Sequence, residues 1–402
     1  MARKVIVHVG APKTGTSFVQ DLLFASRDQL AETGFVYPGD RFDAHFLAAL
    51  DLMQLTWGGL EREAVGAWDA LAEQVRAWPG TAIVSHEILA TASRAHVARA
   101  LDSLSTEDTE VHVVLSARDL VRQIPAEWQE NVKHRRTTTY GDFLDQLRDP
   151  GRRAVIASWF WGVQEVPAIL DRWGSALPKD RVHLVTVPPP DAPADLLWRR
   201  FAQVLGLDPD QLVRDDVRRN ASLGVAEAAV VRRLNESVAE IVPNHHYRAL
   251  VREALVHQNL SRDRRSARLS VPPDVWKWAE QLSRRWVAEL ALRGYDVVGD
   301  LDDLLPRPAL PWVDPDQVGP EELSEATLRA LTAMTREGAR LRDREVELQR
   351  DIEELIEKLD AAHSTRIYKA KERLVARADD SALAARGLAV YRRLRGRNSR
   401  ST

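Results

Sequence analysis

Residues 5–17 read Val5-Ile6-Val7-His8-Val9-Gly10-Ala11-Pro12-Lys13-Thr14-Gly15-Thr16-Ser17, and this stretch decides the fold. Val5 to Val9 is a short apolar run stopped by Gly10 and Pro12, the pattern of a strand buried in a parallel sheet. From Thr16 the period changes: Phe18, Leu22, Leu23 and Leu30 recur at helical steps, and Gly34 stands where a helix C-cap would. A helix start leaves amide N–H groups unpaired at the positive end of its dipole. A glycine-bounded turn before it lets the backbone wrap an anion. Gly10 and Gly15 supply the tight geometry, Lys13 beside Pro12 a point charge, and Thr14, Thr16 and Ser17 hydroxyls. An ordinary strand–helix turn needs none of that combination, so the loop is read as a site for the phosphates of a nucleotide donor.

Outward from the loop, further β-prone runs occur at Phe35-Val36-Tyr37, Thr81–Ser85, Val111–Ser116 and Arg181–Val187, with helical stretches between them. That alternation predicts an α/β fold, a parallel sheet flanked by helices, of P-loop type. Ligands in such sheets lie at the carboxyl ends of strands, so the turns after Val9, Ser85 and Ser116 should converge. Residues 225–295 read as mostly helical. Trp159, Trp161, Trp276 and Trp278 read as packing residues. The expected organisation is an α/β domain over 1–303, a proline-rich linker over 304–320, a long helix or coiled coil over 321–364 and a basic tail over 365–402. Leu341, Leu348, Leu355 and Ala362 repeat every seven residues, with Ile352 and Leu359 in the second seam position and Glu345 interrupting it. Self-association through 321–364 and a helix folded back on the body are equal readings of that pattern.

Composition narrows the function classes. The 402 residues carry a net charge of −3, so no specific nucleic-acid partner is expected. Cysteine is absent, which removes disulfides, thiolate metal sites and cysteine nucleophiles. No uncharged apolar stretch is long enough to span a bilayer, and the chain reads as soluble and cytoplasmic. The tail, rich in arginine from Arg366 to Arg400, offers a weak peripheral contact with anionic membrane, or is simply a solvated end.

The loop departs from the common nucleotide motif, Gly-x-x-x-x-Gly-Lys-[Ser/Thr]. Gly10 and Gly15 have its spacing, but Thr16 occupies the lysine position and the lysine sits inside the loop as Lys13. In this it resembles the 5′-phosphosulfate loop of sulfotransferases that use 3′-phosphoadenosine 5′-phosphosulfate, specifically the bacterial branch. Leu115-Ser116-Ala117-Arg118-Asp119 is similar to the family's 3′-phosphate segment, Gly34-Phe35-Val36-Tyr37-Pro38 to its second strand, and Asn220-Ala221-Ser222-Leu223-Gly224 to a late segment of bacterial members. The likeness runs in order over roughly residues 1–300, and the loop is its most specific part. The family's pattern has a serine eight residues after the arginine; here Ala126 stands there, next to Pro125, with Arg122 and Gln129 as nearby substitutes.

The resemblance implies sulfuryl transfer to a hydroxyl or amine of a glycan, glycolipid or small metabolite, with no metal. It implies that Pro12, Lys13, Thr14, Gly15, Thr16, Ser17 and Arg118 hold the donor and that Lys13 neutralises the leaving phosphate. Glu87 resembles the carboxylate base of glycan and bacterial members, and His86 the histidine base of the cytosolic type. Apart from the resemblance, Glu87 is a first-turn helix acid, and His86 and His45 are hydrogen-bonded structural histidines. Two other functions stay open: a P-loop kinase, with Asp119 on magnesium, and a catalytically degenerate adaptor acting through its coiled coil.

Overall fold

In a computed structural model, six parallel strands form one sheet in the order β2-β3-β1-β4-β5-β6. The structure describes residues 3–212, 222–262 and 264–364, with residues 370, 373 and 386 beyond them. Asn220, Ala221 and most of the basic tail lie outside these. The strands are β1 (Lys4–His8), β2 (Phe35–Val36), β3 (Thr81–Ser85), β4 (Glu110–Ala117), β5 (Val182–Thr186) and β6 (Asp296–Val298). β1 runs through the middle, with His8 in register with Ser85 of β3 and Val114 of β4. Val5, Ile6 and Val7 are fully buried, as a strand covered on both faces requires. On one face Ile6, Val114 and Val185 pack with Val19, Leu22 and Leu23 of α1 (Thr16–Ala25) and with Trp198 and Phe201.

Two differences from the sequence reading are local. The single helix expected over 16–32 is two, parted at Ser26. β6 was not anticipated; its three residues sit between the Pro273–Arg293 helix and Gly299, too few to show a period. Trp161 and Trp278 pack edge-on as expected, and Trp286 joins them.

The chain divides into two compact units, Met1–Leu331 and Thr332–Thr402. The proline-rich segment belongs to the first. Its Trp312 stacks on Tyr140, and Asp316 accepts hydrogen bonds from the Tyr140 and Gly141 amides. From Thr332 on, the long Pro320–Ser364 helix belongs to the second unit and carries Leu341, Leu348, Ile352, Leu355 and Leu359, 43% to 63% exposed. Their seven-residue repeat has the spacing on which a coiled-coil seam was expected. That spacing carries the expectation of self-association. Light scattering should give an oligomer for the native chain and a monomer once Leu348 and Leu355 are both replaced by Glu. A native chain that is monomeric at high concentration would remove that expectation.

Candidate anion-binding loop and crevice

The loop after β1 is built by its neighbours. Val9 and Ala11 continue the ladder, donating to the Val114 and Ser116 carbonyls at 2.9 and 2.8 Å. The Gly10 carbonyl receives both the Ser116 amide, at 2.5 Å, and the Ser116 hydroxyl, at 2.8 Å. The Thr14 hydroxyl donates to the Ala11 carbonyl at 2.6 Å and lies 2.5 Å from Ser116 Oγ. Gly10, Lys13 and Gly15 all have positive φ, at 125°, 63° and 92°. Such alternation of backbone hand turns successive N–H groups toward a common centre. Glycine is required at position 10, where a Cβ would stand 2.9 Å from the Glu87 carbonyl oxygen. Lys13 adopts the same hand without being glycine, a conformation side chains rarely take. α1 then starts with Gly15 as its N-cap and no side chain capping its first amides.

Of the residues expected to hold the donor, the loop brings Pro12 to Ser17 together, and Arg118 follows two residues after Ser116. The Thr14 hydroxyl is buried and engaged inside the loop, against the Ala11 carbonyl and Ser116 Oγ. Arg118 donates through Nη2 to the Arg122 carbonyl at 2.9 Å, and its Nε is buried without a partner. Burial and the nearby Arg122 pull its pKa down to about 10, so it remains charged at neutral pH. The two substitutes for the missing serine are both occupied. Arg122 pairs with Asp119 and donates to the Pro188 carbonyl, and Gln129 accepts from the Leu223 amide.

One face of the Leu120–Lys133 helix lies along the loop. Gln123 donates to the Pro12 carbonyl and to Gln164, and Gln164 donates to Glu127 at 2.9 Å. A turn further on, Glu130 pairs with Lys13 at 2.7 Å. Glu127 lies within electrostatic reach of both Lys13 and Arg118; burial raises its pKa and those cations oppose the rise. The sequence reading missed Gln123, Gln164, Glu127 and Glu130. The available signal was their helical spacing at 123, 127 and 130, on a helix that starts at a strand end.

On the other side, Glu87 accepts from Gln20 at 2.9 Å. Burial would raise the Glu87 carboxyl, but His86, Gln20 and Lys13 together hold it below the ordinary carboxylate range. His86 is turned differently. Its Nδ1 accepts from the Ile88 amide at 3.3 Å, and its ring lies 5.0 Å from Phe46. A neutral His86 therefore carries its proton on Nε2 and has no free lone pair. His45 is structural, as the residues alone indicate: it links the Ser85 amide to the Pro38 carbonyl and stacks on Tyr37. Among the described residues no group of three or more His, Asp or Glu side chains has metal-holding geometry, and no helix is long and apolar enough to cross a membrane.

No protein-family model matches the chain, and no curated protein matches it. Among solved structures, a sulfotransferase from Alicyclobacillus acidocaldarius is similar over 61% of this chain and 94% of that chain, at 17% identity and a TM-score of 0.38.

Beneath the loop, His8 joins Ser85 Oγ through Nδ1 at 2.7 Å and Ser116 Oγ through Nε2 at 3.3 Å. Burial lowers its pKa from 6.5 to about 4, against a smaller upward pull from Glu87. His45 falls to about 3 for the same leading reason. Both rings are neutral in the fold at pH values where an unfolded histidine takes up a proton. Stability is therefore complete above about pH 6.5 and is lost as pH falls toward 4, by roughly 1.4 kcal/mol per pH unit per histidine. Thermal melting between about pH 7 and about pH 5 should show this slope, and His8→Asn should reduce it by about one histidine's share. An unchanged slope in His8→Asn would mean that His8 takes up its proton without cost to the fold.

Proposed function

We propose that this chain is a sulfotransferase that takes a sulfuryl group from 3′-phosphoadenosine 5′-phosphosulfate and passes it to a hydroxyl or amine of a glycan, glycolipid or small metabolite. The observation that carries this reading is the cation in the middle of the loop. Lys13 projects from a left-handed backbone position to Glu130 on one side and lies within electrostatic reach of Glu87 on the other. Thr16 stands where a nucleoside-triphosphate-hydrolysing loop puts its lysine.

The residues present fit a donor with two separate phosphate positions. The uncapped start of α1, with Thr16 and Ser17, suits the 5′-phosphate. The Arg118 guanidinium, whose buried Nε lacks a partner, suits the 3′-phosphate as a fork donor. The donor supplies an activated sulfur–oxygen bond; the protein positions it and stabilises charge. Glu87 is ionised and takes the acceptor proton as the acceptor oxygen or nitrogen bonds to sulfur. The bond from sulfur to the phosphate oxygen breaks, and Lys13 neutralises the charge on that leaving oxygen. The products are the sulfated acceptor and adenosine 3′,5′-bisphosphate. His86 suits the base role less well, because its lone pair is engaged by the Ile88 amide. A kinase reading would ask Asp119 to hold magnesium, but that carboxylate caps the Leu120–Lys133 helix and pairs with Arg122.

Calorimetric titration tests the donor. Adenosine 3′,5′-bisphosphate should bind without magnesium and more tightly than ATP; a preference for magnesium-ATP would overturn the reading. In a transfer assay Lys13→Ala should lower turnover by about 100-fold or more, as loss of one preorganised charge does. Glu87→Gln should lower turnover by about 100- to 10,000-fold and leave bisphosphate affinity unchanged. Full activity in Glu87→Gln would return the base to His86 or to the acceptor.

A further inference from the structure

Beyond Lys13 lies a group of cations for which the donor has no use. Glu130 is their shared counter-ion. Its Oε2 meets Lys13 at 2.7 Å and Lys133 at 3.9 Å, and its Oε1 meets His134 at 3.2 Å and Arg252 Nη2 at 3.5 Å. Only the Lys13 contact is short. The Lys133 side chain is 8% exposed, yet its nearest carboxylate oxygen is too far for a hydrogen bond. Arg252 Nε is buried with no partner. Burial with Lys13 and Arg252 nearby lowers the Lys133 pKa, and burial with Lys133 and Arg252 nearby lowers that of His257. The other carboxylates in reach do not close the account. Glu127 is raised toward its neutral form, and Glu253 acts on His257 from the same helical segment, Arg248–Leu260.

Three permanent cations thus lean on one carboxylate in a partly dry setting. Buried cations without hydrogen-bond partners are costly to the folded chain, and an incoming anion removes that cost. The cluster opens to solvent through Lys13 and Arg252, about a third exposed. It also begins at the lysine that would face the transferred group.

We propose that the acceptor is itself an anion, carrying a carboxylate, sulfate or phosphate beside the group that receives the sulfuryl, and that Lys133 and Arg252 bind that oxyanion. This rests on the sulfotransferase reading and adds the acceptor's charge class to it. Glu130 then has a defined place: it holds Lys13 on one oxygen while the oxyanion takes over Lys133 and Arg252. A neutral acceptor would leave Lys133 without a hydrogen-bonded counter-ion and Arg252 with only its long 3.5 Å contact to Glu130.

The experiment divides a cell extract by anion exchange before any reaction and supplies each fraction with radiolabelled donor and the full-length protein. Label is expected in the retained, anionic fraction. Carbodiimide amidation and phosphatase treatment of that fraction then separate carboxylate from phosphate acceptors, and resistance to both points to sulfate. Lys133→Met and Arg252→Met should each raise the acceptor KM by about 10- to 100-fold, the range for hydrogen bonds to charged groups, and leave the adenosine 3′,5′-bisphosphate Kd within about twofold. Removal of a buried charge without a hydrogen-bonded partner is compatible with folding; Arg252→Gln, which keeps a donor, gives a second variant with the same expected direction. Label confined to the unretained fraction overturns the proposal, and so does label in neither fraction while the bisphosphate binds. A large loss of bisphosphate affinity in Lys133→Met also overturns it, because the cluster would then serve the donor. Failure of the native chain to bind the bisphosphate would instead sink the sulfotransferase reading.

Discussion

The loop's geometry depends on Ser116. At the carboxyl end of β4 its amide and hydroxyl both reach the Gly10 carbonyl, its own carbonyl takes the Ala11 amide, and its Oγ lies against Thr14. A carbonyl with two lone pairs can accept both donors. The Gly10 carbonyl, the Ala11 amide and the Thr14 hydroxyl are thereby satisfied from below, by protein rather than by a ligand. On the other side stand the first amides of α1, which no side chain caps, and the side chain of Lys13. An anion site of this kind is made as much by paired backbone groups as by unpaired ones.

Ser116 is in turn held from underneath by His8, and this explains why a histidine can occupy a strand otherwise made of valine and isoleucine. A neutral imidazole has one donor and one acceptor nitrogen, and the flanking strands offer one hydroxyl each, Ser85 and Ser116. From Ser85 the chain of contacts continues to Gln20 at 3.4 Å and on to Glu87. The turns after β3 and β4 are therefore joined beneath the loop through β1. Protonating His8 would turn its acceptor nitrogen into a second donor and bring a charge into a dry interior. Burial opposes that more strongly than Glu87 favours it.

The parts of the site legible in the sequence are those whose cause is local. Gly10 and Gly15 are needed by their own backbone angles, and Lys13 and Arg118 are placed by strand ends that an apolar run announces. The parts that escaped notice act across the sheet. In sequence Gln123, Glu127 and Glu130 look like the wet face of an amphipathic helix; only the packing of that helix along Pro12 and Lys13 makes them a wall of the site. Thr14 shows the converse. Its hydroxyl counts as a ligand group when the loop is read as a string, but the turn at Lys13 places it against Ser116. β6 is a third case, since three residues cannot display a period and its identity comes from pairing with β5.

The charges around Lys13 bear on the kind of site this is. A lone lysine over a helix start would bind most phosphates as a point charge, with little preference among them. Here it is flanked by Glu130 in direct contact and by Glu87 and Glu127 within electrostatic reach. At the proposed site Glu130 and Glu87 would repel a diffuse polyanion, so that an anion would gain from Lys13 where it also meets the α1 amides. That requirement ties selectivity to position rather than to total charge. The same logic separates Arg118, which has Asp119 and Glu127 in electrostatic reach and a buried Nε without a partner, from the exposed arginines of the chain. At the proposed site two such cations, each tempered by carboxylates and set on fixed backbone, would discriminate between anions by the spacing of their oxygens, which a uniformly basic cleft of equal net charge would not do.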